Sequence, residues 1–185
     1  NHFVDKACSY NRDEYKVYSD QLYQFTTRHA GVVTDTRTLD EAQSYAPVFI
    51  AALPRSGTTL LEQMLASCNE CLGVGESNAF QSSVWSYTDN FRNHPFLSTQ
   101  SDAKYLTSAL QFLANRYQKH PLIAKAKDNG FRSVDKSIEN SLYVGPILMA
   151  YPKAWVINLQ RHPLDIILSC YQQFFTPGHQ YSFNL

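Results

Sequence analysis

The sequence predicts an α/β protein with a mostly parallel central sheet flanked by helices. Three observations carry that expectation. Two short apolar runs, 48–53 and 154–159, have the length and composition of buried parallel strands. Apolar residues recur at helical spacing in 58–67 and again in 102–119. The strand and helix patterns alternate along the chain, the rhythm of a sheet covered on both faces.

Taken in order, residues 1–45 predict a helical lead-in that packs on the main domain. Tyr15, Tyr18, Leu22 and Phe25 are helically spaced and are followed by Gly31 and a Thr/Asp-rich loop. The main domain is expected over 46–185, opening with strand 48–53 between Pro47 and Pro54. Helix 58–67 follows, with Leu60, Leu61, Met64 and Leu65 at helical spacing. A second short strand is expected at 72–75 and a mainly helical stretch at 77–88. Tyr105, Leu106, Leu110, Phe112, Leu113 and Tyr117 mark an amphipathic helix over 102–119. A strand end is expected at 132–135, a helix at 138–150 and a strand at 154–159. The last helix, 163–175, has Pro163 in its first turn. Because the chain stops shortly after that helix, the domain is expected to continue beyond Leu185. Ligands of such sheets bind where strands end and helices begin, so the chemistry is sought there.

Composition narrows the function classes. A hydrophobic fraction of 44% and a charged fraction of 17% describe a globular chain, not a disordered one. The twelve Tyr and eleven Phe favour a folded domain with aromatic-lined surfaces or pockets. Formal net charge is zero, and no basic stripe supports a nucleic-acid partner. No apolar run approaches the roughly 20 residues that span a bilayer. The chain begins with Asn1 and has no signal-like start, so a removed targeting segment stays open. Cys68 and Cys71 have redox or metal spacing, but a zinc site would need a second pair, and unpaired thiols near a helix end are expected.

The motif with most chemical content is Pro54-Arg55-Ser56-Gly57-Thr58-Thr59, a tight turn between strand and helix. Backbone N–H groups and hydroxyls at a helix N-terminus favour an anion. The nucleoside-triphosphatase pattern G-x-x-x-x-G-K-[ST] is not met, since Ala52 replaces its first Gly and Thr58 its Lys. That lysine neutralises β- and γ-phosphate charge, and its absence argues against ATP or GTP hydrolysis.

The segment PRSGTTLLEQML resembles the 5′-phosphosulfate loop of sulfotransferases that use 3′-phosphoadenosine 5′-phosphosulfate (PAPS). It is most similar to the branch with bacterial tetratricopeptide-linked and tyrosylprotein sulfotransferases. The resemblance covers about residues 46–185, implies a P-loop-like nucleotide-binding fold, and makes 46–185 the PAPS-binding domain; the first 45 residues show no tetratricopeptide signature. It implies that Arg55, Ser56, Gly57, Thr58 and Thr59 hold the 5′ end of PAPS. Arg161 and Ser169, eight residues apart on a strand end and the following helix, take the family's 3′-phosphate positions. Glu76, in Gly73-Val74-Gly75-Glu76, takes that of the general base, 21 residues after Arg55. An acceptor hydroxyl needs such a carboxylate to lose its proton. Lys136 takes the position that stabilises charge on the sulfuryl group or leaving phosphate, with Arg55 assisting. Related sequences carry D-K-x-P-x-N there, and this chain has Ile138 in place of the Pro. Gly178-His179-Gln180-Tyr181-Ser182 also matches the bacterial branch, with no assigned role.

Each residue also has a structural alternative: an ion pair to Asp165 for Arg161, helix packing for Ser169, helix capping for Glu76, and a pair with Asp135 or Glu139 for Lys136. The expected reaction is in-line sulfuryl transfer to a hydroxyl of a tyrosine, sugar, lipid or small alcohol. It releases adenosine 3′,5′-bisphosphate and needs no metal. Acceptor recognition is expected in loops over 80–101. A small-molecule kinase on the same fold and a non-catalytic nucleotide-binding module are the rival readings. The compartment is cytoplasmic for a bacterial enzyme and lumenal if a targeting segment was removed.

Overall fold

A computed structural model describes residues 12–29, 41–91, 94–97 and 103–172. Four parallel strands, β1 (Val48–Ala52), β2 (Cys71–Gly75), β3 (Arg132–Asp135) and β4 (Trp155–Leu159), form a sheet in the order β2-β3-β1-β4. Eight α-helices are described: α1 (Arg12–His29), α2 (Glu41–Ser44), α3 (Thr58–Ala66), α4 (Ala79–Phe91), α5 (Ala103–Tyr117), α6 (Pro121–Asp128), α7 (Val144–Ala150) and α8 (Pro163–Tyr171). From β1 the chain crosses through α3 to β2 at one edge. It returns through α4, α5 and α6 to β3, then moves past β1 to β4 on the other side. The direction of winding therefore reverses beside β1, and such a switch point opens a crevice at the carboxyl ends of the strands.

Central strand β1 is buried throughout and splits its side chains by the two-residue strand period. Val48, Ile50 and Ala52 join Val134 against Leu61 and Leu65 of α3. Phe49 points to the opposite, larger core of Phe80, Val84, Leu106, Leu110, Leu113, Tyr117, Tyr143, Ile147 and Tyr151. Leu22 and Phe25 of α1 belong to this same core. Thr26 approaches Gly145 of α7 so closely that any Cβ there would collide with it.

The aromatic richness expected to line surfaces or pockets is largely interior. Tyr117, Tyr143, Tyr151, Phe49 and Phe80 are among the largest fully buried side chains. The buried phenols find partners, as buried polar groups must. Tyr151 donates to Ala114 O at 2.6 Å, and the Tyr143 and Tyr18 hydroxyls meet at 2.8 Å.

The structure corrects one expected element, refines a second and adds a third. The helix expected over 138–150 is a 3₁₀ turn (Ile138–Ser141) and then α7, because Ser137 and Asn140 turn back to bond Asp135. The helical stretch expected at 77–88 is α4, on which Phe80, Val84 and Tyr87 bury a helical stripe, so the first part of the region expected to recognise the acceptor is helix and not loop. Helix α6 was not expected at all, although Pro121 at its start and Gly130 just beyond its end are boundary signals. The expected end of the last helix beyond 172, and His179, lie outside the described residues.

Candidate active site

All the predicted site residues fall on the carboxyl edge of the sheet, in two groups on either side of β1. The first group begins where β1 ends. Arg55 has φ 66 and Gly57 φ 96, so the chain turns sharply into α3. A left-handed arginine costs on the order of 1 kcal/mol and persists only where neighbours fix it. Here the Arg161 Nη1 donates to Arg55 O at 3.0 Å, and Arg55 Nε donates to Ser169 Oγ at 2.9 Å. Arg55 is thus joined to two residues more than 100 positions further along the chain. Arg161 also approaches Asp165 at 3.7 Å, so the ion pair offered as its structural alternative is present. Both partners are roughly half exposed, and such a pair contributes about 0–1 kcal/mol. It does not occupy the whole guanidinium. The Cys170 thiol beside this group is held above its ordinary range by burial, partly offset by the Arg55 charge.

The phosphate loop fits an anion on its own geometry. Ser56 Oγ is buried with no hydrogen-bond partner among the described residues. A Cβ on Gly57 would meet nothing within 4 Å, so the space beside this residue is open. Thr58 is the first residue of α3, whose leading N–H groups lack partners within the helix. A cleft of about 640 Å³ opens here, lined among others by Ala52, Ser56, Ser141, Asn158, Arg161 and Ile166.

The second group lies at the ends of β2 and β3. Lys136 Nζ meets Glu76 Oε1 at 2.8 Å, with the Lys side chain 11% and the Glu side chain 52% exposed. The alternatives of pairing Lys136 with Asp135 or Glu139 are not what the structure has. Nor does Glu76 cap the next helix: α4 starts at Ala79, and the carbonyl entering its first turn is that of Asn78. Beneath the pair sits Asp135, fully buried. Its carboxylate accepts from Ser77 Oγ at 2.6 Å, Ser137 N at 2.9 Å, Ser137 Oγ at 2.6 Å and Asn140 Nδ2 at 3.1 Å. Ser137 Oγ in turn accepts Asn78 N at 2.9 Å. One satisfied carboxylate therefore knits the loop carrying Glu76 to the loop carrying Lys136.

Sequence reasoning overlooked Asp135 as anything but a possible partner for Lys136, and overlooked Glu62 entirely. Glu62 is buried on α3, and its Oε1 accepts Gly75 N at 2.6 Å. A second cavity of about 220 Å³ beside the Glu76 loop, lined by Ser77, Ser82, Ser83, Arg116, Lys119 and His120, was also missed. Its basic residues come from the α5–α6 corner, which only the fold brings next to β2. Among the described residues no cluster of His, Cys, Asp or Glu could hold a metal, and no helix is long and apolar enough to cross a membrane.

A parallel α/β sheet with a tight strand-to-helix turn at its switch point, and Arg55 and Arg161 beside that turn, defines an α/β protein of the P-loop-like class. The chain's sequence carries the assignment further. Residues 47–184 match the profile of the sulfotransferase family, and the chain belongs to that family. It is also 35% identical, over 143 residues, to an uncharacterized protein of Aquifex aeolicus (strain VF5). That match covers 74% of this chain and 18% of the relative, so the chain spans less than a fifth of the relative's length. No solved structure matches.

Proposed function

We propose that this chain carries the donor site and reaction centre of a PAPS-dependent sulfotransferase, acting on a hydroxyl acceptor. The observation that carries the reading is convergence. The loop 54–59 with Arg161 and Ser169 bonded to it, and the Glu76–Lys136 pair, come from four separate segments and lie along the same carboxyl edge of the sheet. In this reading Ser56, Gly57, Thr58 and Thr59 hold the 5′ end of PAPS, and the unpartnered Ser56 hydroxyl is the donor that such a ligand needs. Arg161 and Ser169 hold the 3′-phosphate. Arg55 belongs to the loop and donates to Ser169 Oγ, which supports a share in both ends of the nucleotide site.

Glu76 removes the acceptor's proton as its oxygen attacks sulfur. The new O–S bond forms while the bond from sulfur to the bridging oxygen breaks, and the electron pair leaves on the nucleotide phosphate. Lys136 and Arg55 stabilise that growing charge. By analogy with phosphoryl transfer, most of the acceleration comes from positioning and electrostatics, and no metal is required of these residues. The cavity lined by Ser77, Ser82, Ser83, Arg116, Lys119 and His120 opens one residue from Glu76 in sequence, which supports it as a place for part of the acceptor.

The test measures release of adenosine 3′,5′-bisphosphate from PAPS in the presence of hydroxyl acceptors. Replacing Glu76 with Gln is expected to lower turnover by about 10²–10⁴-fold, the usual contribution of a general base. Nucleotide affinity should be unaltered. Turnover of Mg-ATP with none of PAPS would instead establish a kinase.

A further inference from the structure

The strand that delivers Glu76 is irregular at its end. Gly73 pairs with Val134 and Gly75 with Asp135, so Val74 has no opposite residue and β2 carries a bulge. A bulge bends the strand and takes backbone groups off the ladder, commonly where a side chain must be re-aimed. The displaced groups of Gly75 are both claimed. Its N–H donates to Glu62 Oε1 at 2.6 Å, and its carbonyl accepts Lys136 N at 3.1 Å. Gly75 itself has φ +68, a backbone that side-chain-bearing residues adopt reluctantly.

Glu62 is an unusual choice for its place. It is only 9% exposed, one residue from Leu61 on the helix face that packs on the sheet. A carboxylate buried there is costly unless it accepts hydrogen bonds, and a leucine would fill the space without that cost. The opposite strand has been trimmed to receive it. A Cβ on Gly73 would lie 2.9 Å from Glu62 Oε1 and 3.1 Å from its Cγ. Both glycines of Gly73-Val74-Gly75-Glu76 therefore answer to one structure: Gly73 makes room for the Glu62 side chain, and Gly75 takes the turn that Glu62 holds.

We propose that Glu62 is a positioning residue for the reaction, a latch that fixes the peptide leading into Glu76 relative to the phosphate loop. Glu62 stands on the helix that Thr58 and Thr59 begin, so one side chain ties the base to the donor's anchoring site. In-line transfer depends on that spacing, and small displacements of a reacting group are expensive in rate. The latch rests on the assignment of Glu76 as base, but its geometry can be tested separately.

The experiment compares wild type, Glu62→Gln and Glu62→Leu in the intact protein, following Gly75 amide exchange by NMR together with steady-state kinetics on PAPS. Leu keeps the volume and removes the acceptor, so folding is retained, whereas Gln keeps an acceptor oxygen. In the Leu variant Gly75 exchange should rise about 10-fold or more, as expected for loss of a charge-assisted bond. Its kcat should fall about 10–100-fold, with KM for PAPS and affinity for adenosine 3′,5′-bisphosphate within about 2-fold of wild type. Gln should restore both to within about 3-fold. Unchanged Gly75 exchange in the Leu variant overturns the latch, and so does a parallel loss of kcat and nucleotide affinity. If Glu76→Gln retains turnover, the assignment of the base fails instead, and the latch is judged on exchange alone.

Discussion

On the β2–β3 side of the carboxyl edge, the polar atoms are bound to one another. Asp135 takes four hydrogen bonds, Ser137 Oγ takes another, Gly75 is held at both its N–H and its carbonyl, and Lys136 rests on Glu76. On the β1–β4 side the reverse holds. Ser56 Oγ has no partner among the described residues, Arg55 and Arg161 are exposed, and their internal bonds are few. On the proposed function the contrast is a division of labour, in which Glu76 and Lys136 are already in place while the groups proposed to receive a nucleotide keep hydrogen-bonding capacity for it. Preorganisation of the first kind lowers the reorganisation needed during reaction. Capacity of the second kind is what binding uses.

Substitutions on the two sides should therefore fail differently. Asp135→Ala would strand the Ser137 amide and take the acceptor from the Ser137 and Ser77 hydroxyls. Each lost buried partner costs about 1–3 kcal/mol, so urea unfolding should show a total loss of about 3 kcal/mol or more. Arg161→Ala on the open side should leave urea stability within about 0.5 kcal/mol, as expected for an exposed residue. Its effect should appear in calorimetry, as a loss of about 10–100-fold in affinity for adenosine 3′,5′-bisphosphate, the size of a charged hydrogen bond. Ser169→Ala should lose about 10-fold or less, since a neutral hydroxyl contributes about 0.5–1.5 kcal/mol. Equal stability losses at Asp135 and Arg161 would erase the distinction between the sides.

A separate effect, on the pH dependence of stability, lies away from both, where α1 meets α7. His94 is pushed down to about 4 by burial, and its ring bonds the Tyr18 hydroxyl at 3.1 Å while accepting Phe96 N at 3.2 Å. Between about pH 6.5 and 4 the unfolded chain binds a proton that the folded one does not, so stability falls as the medium acidifies through that window. Thermal unfolding from pH 7 to 4 should show this slope, and His94→Gln should flatten it.

Much of the fold was legible because buried strands and amphipathic helices carry their own period. The run 48–53 contains β1, and 102–119 brackets α5 within two residues. The tight turn between β1 and α3 was legible because a turn of this kind is contiguous in sequence. Glu62 and Asp135 were not legible as organisers. Glu62 sits in a helical segment where a glutamate ordinarily faces solvent, and only the trimmed Gly73 opposite it reveals the burial. The 3₁₀ turn after Lys136 was hidden because residues 138–150 have a helical pattern that the bonds of Asn140 to Asp135 interrupt. Sequence patterns report what a segment prefers, whereas these features depend on which strand ends the fold sets side by side.

The most direct test of the central claim is calorimetric titration of the intact protein with adenosine 3′,5′-bisphosphate, with AMP as control and Arg161→Ala alongside. A site that grips both ends of the nucleotide should bind the bisphosphate at least about 10-fold more tightly than AMP, the worth of one charge-assisted contact. Arg161→Ala should bring the two ligands close to equal. A folded protein that binds AMP as tightly as the bisphosphate, or binds neither, would contradict the account.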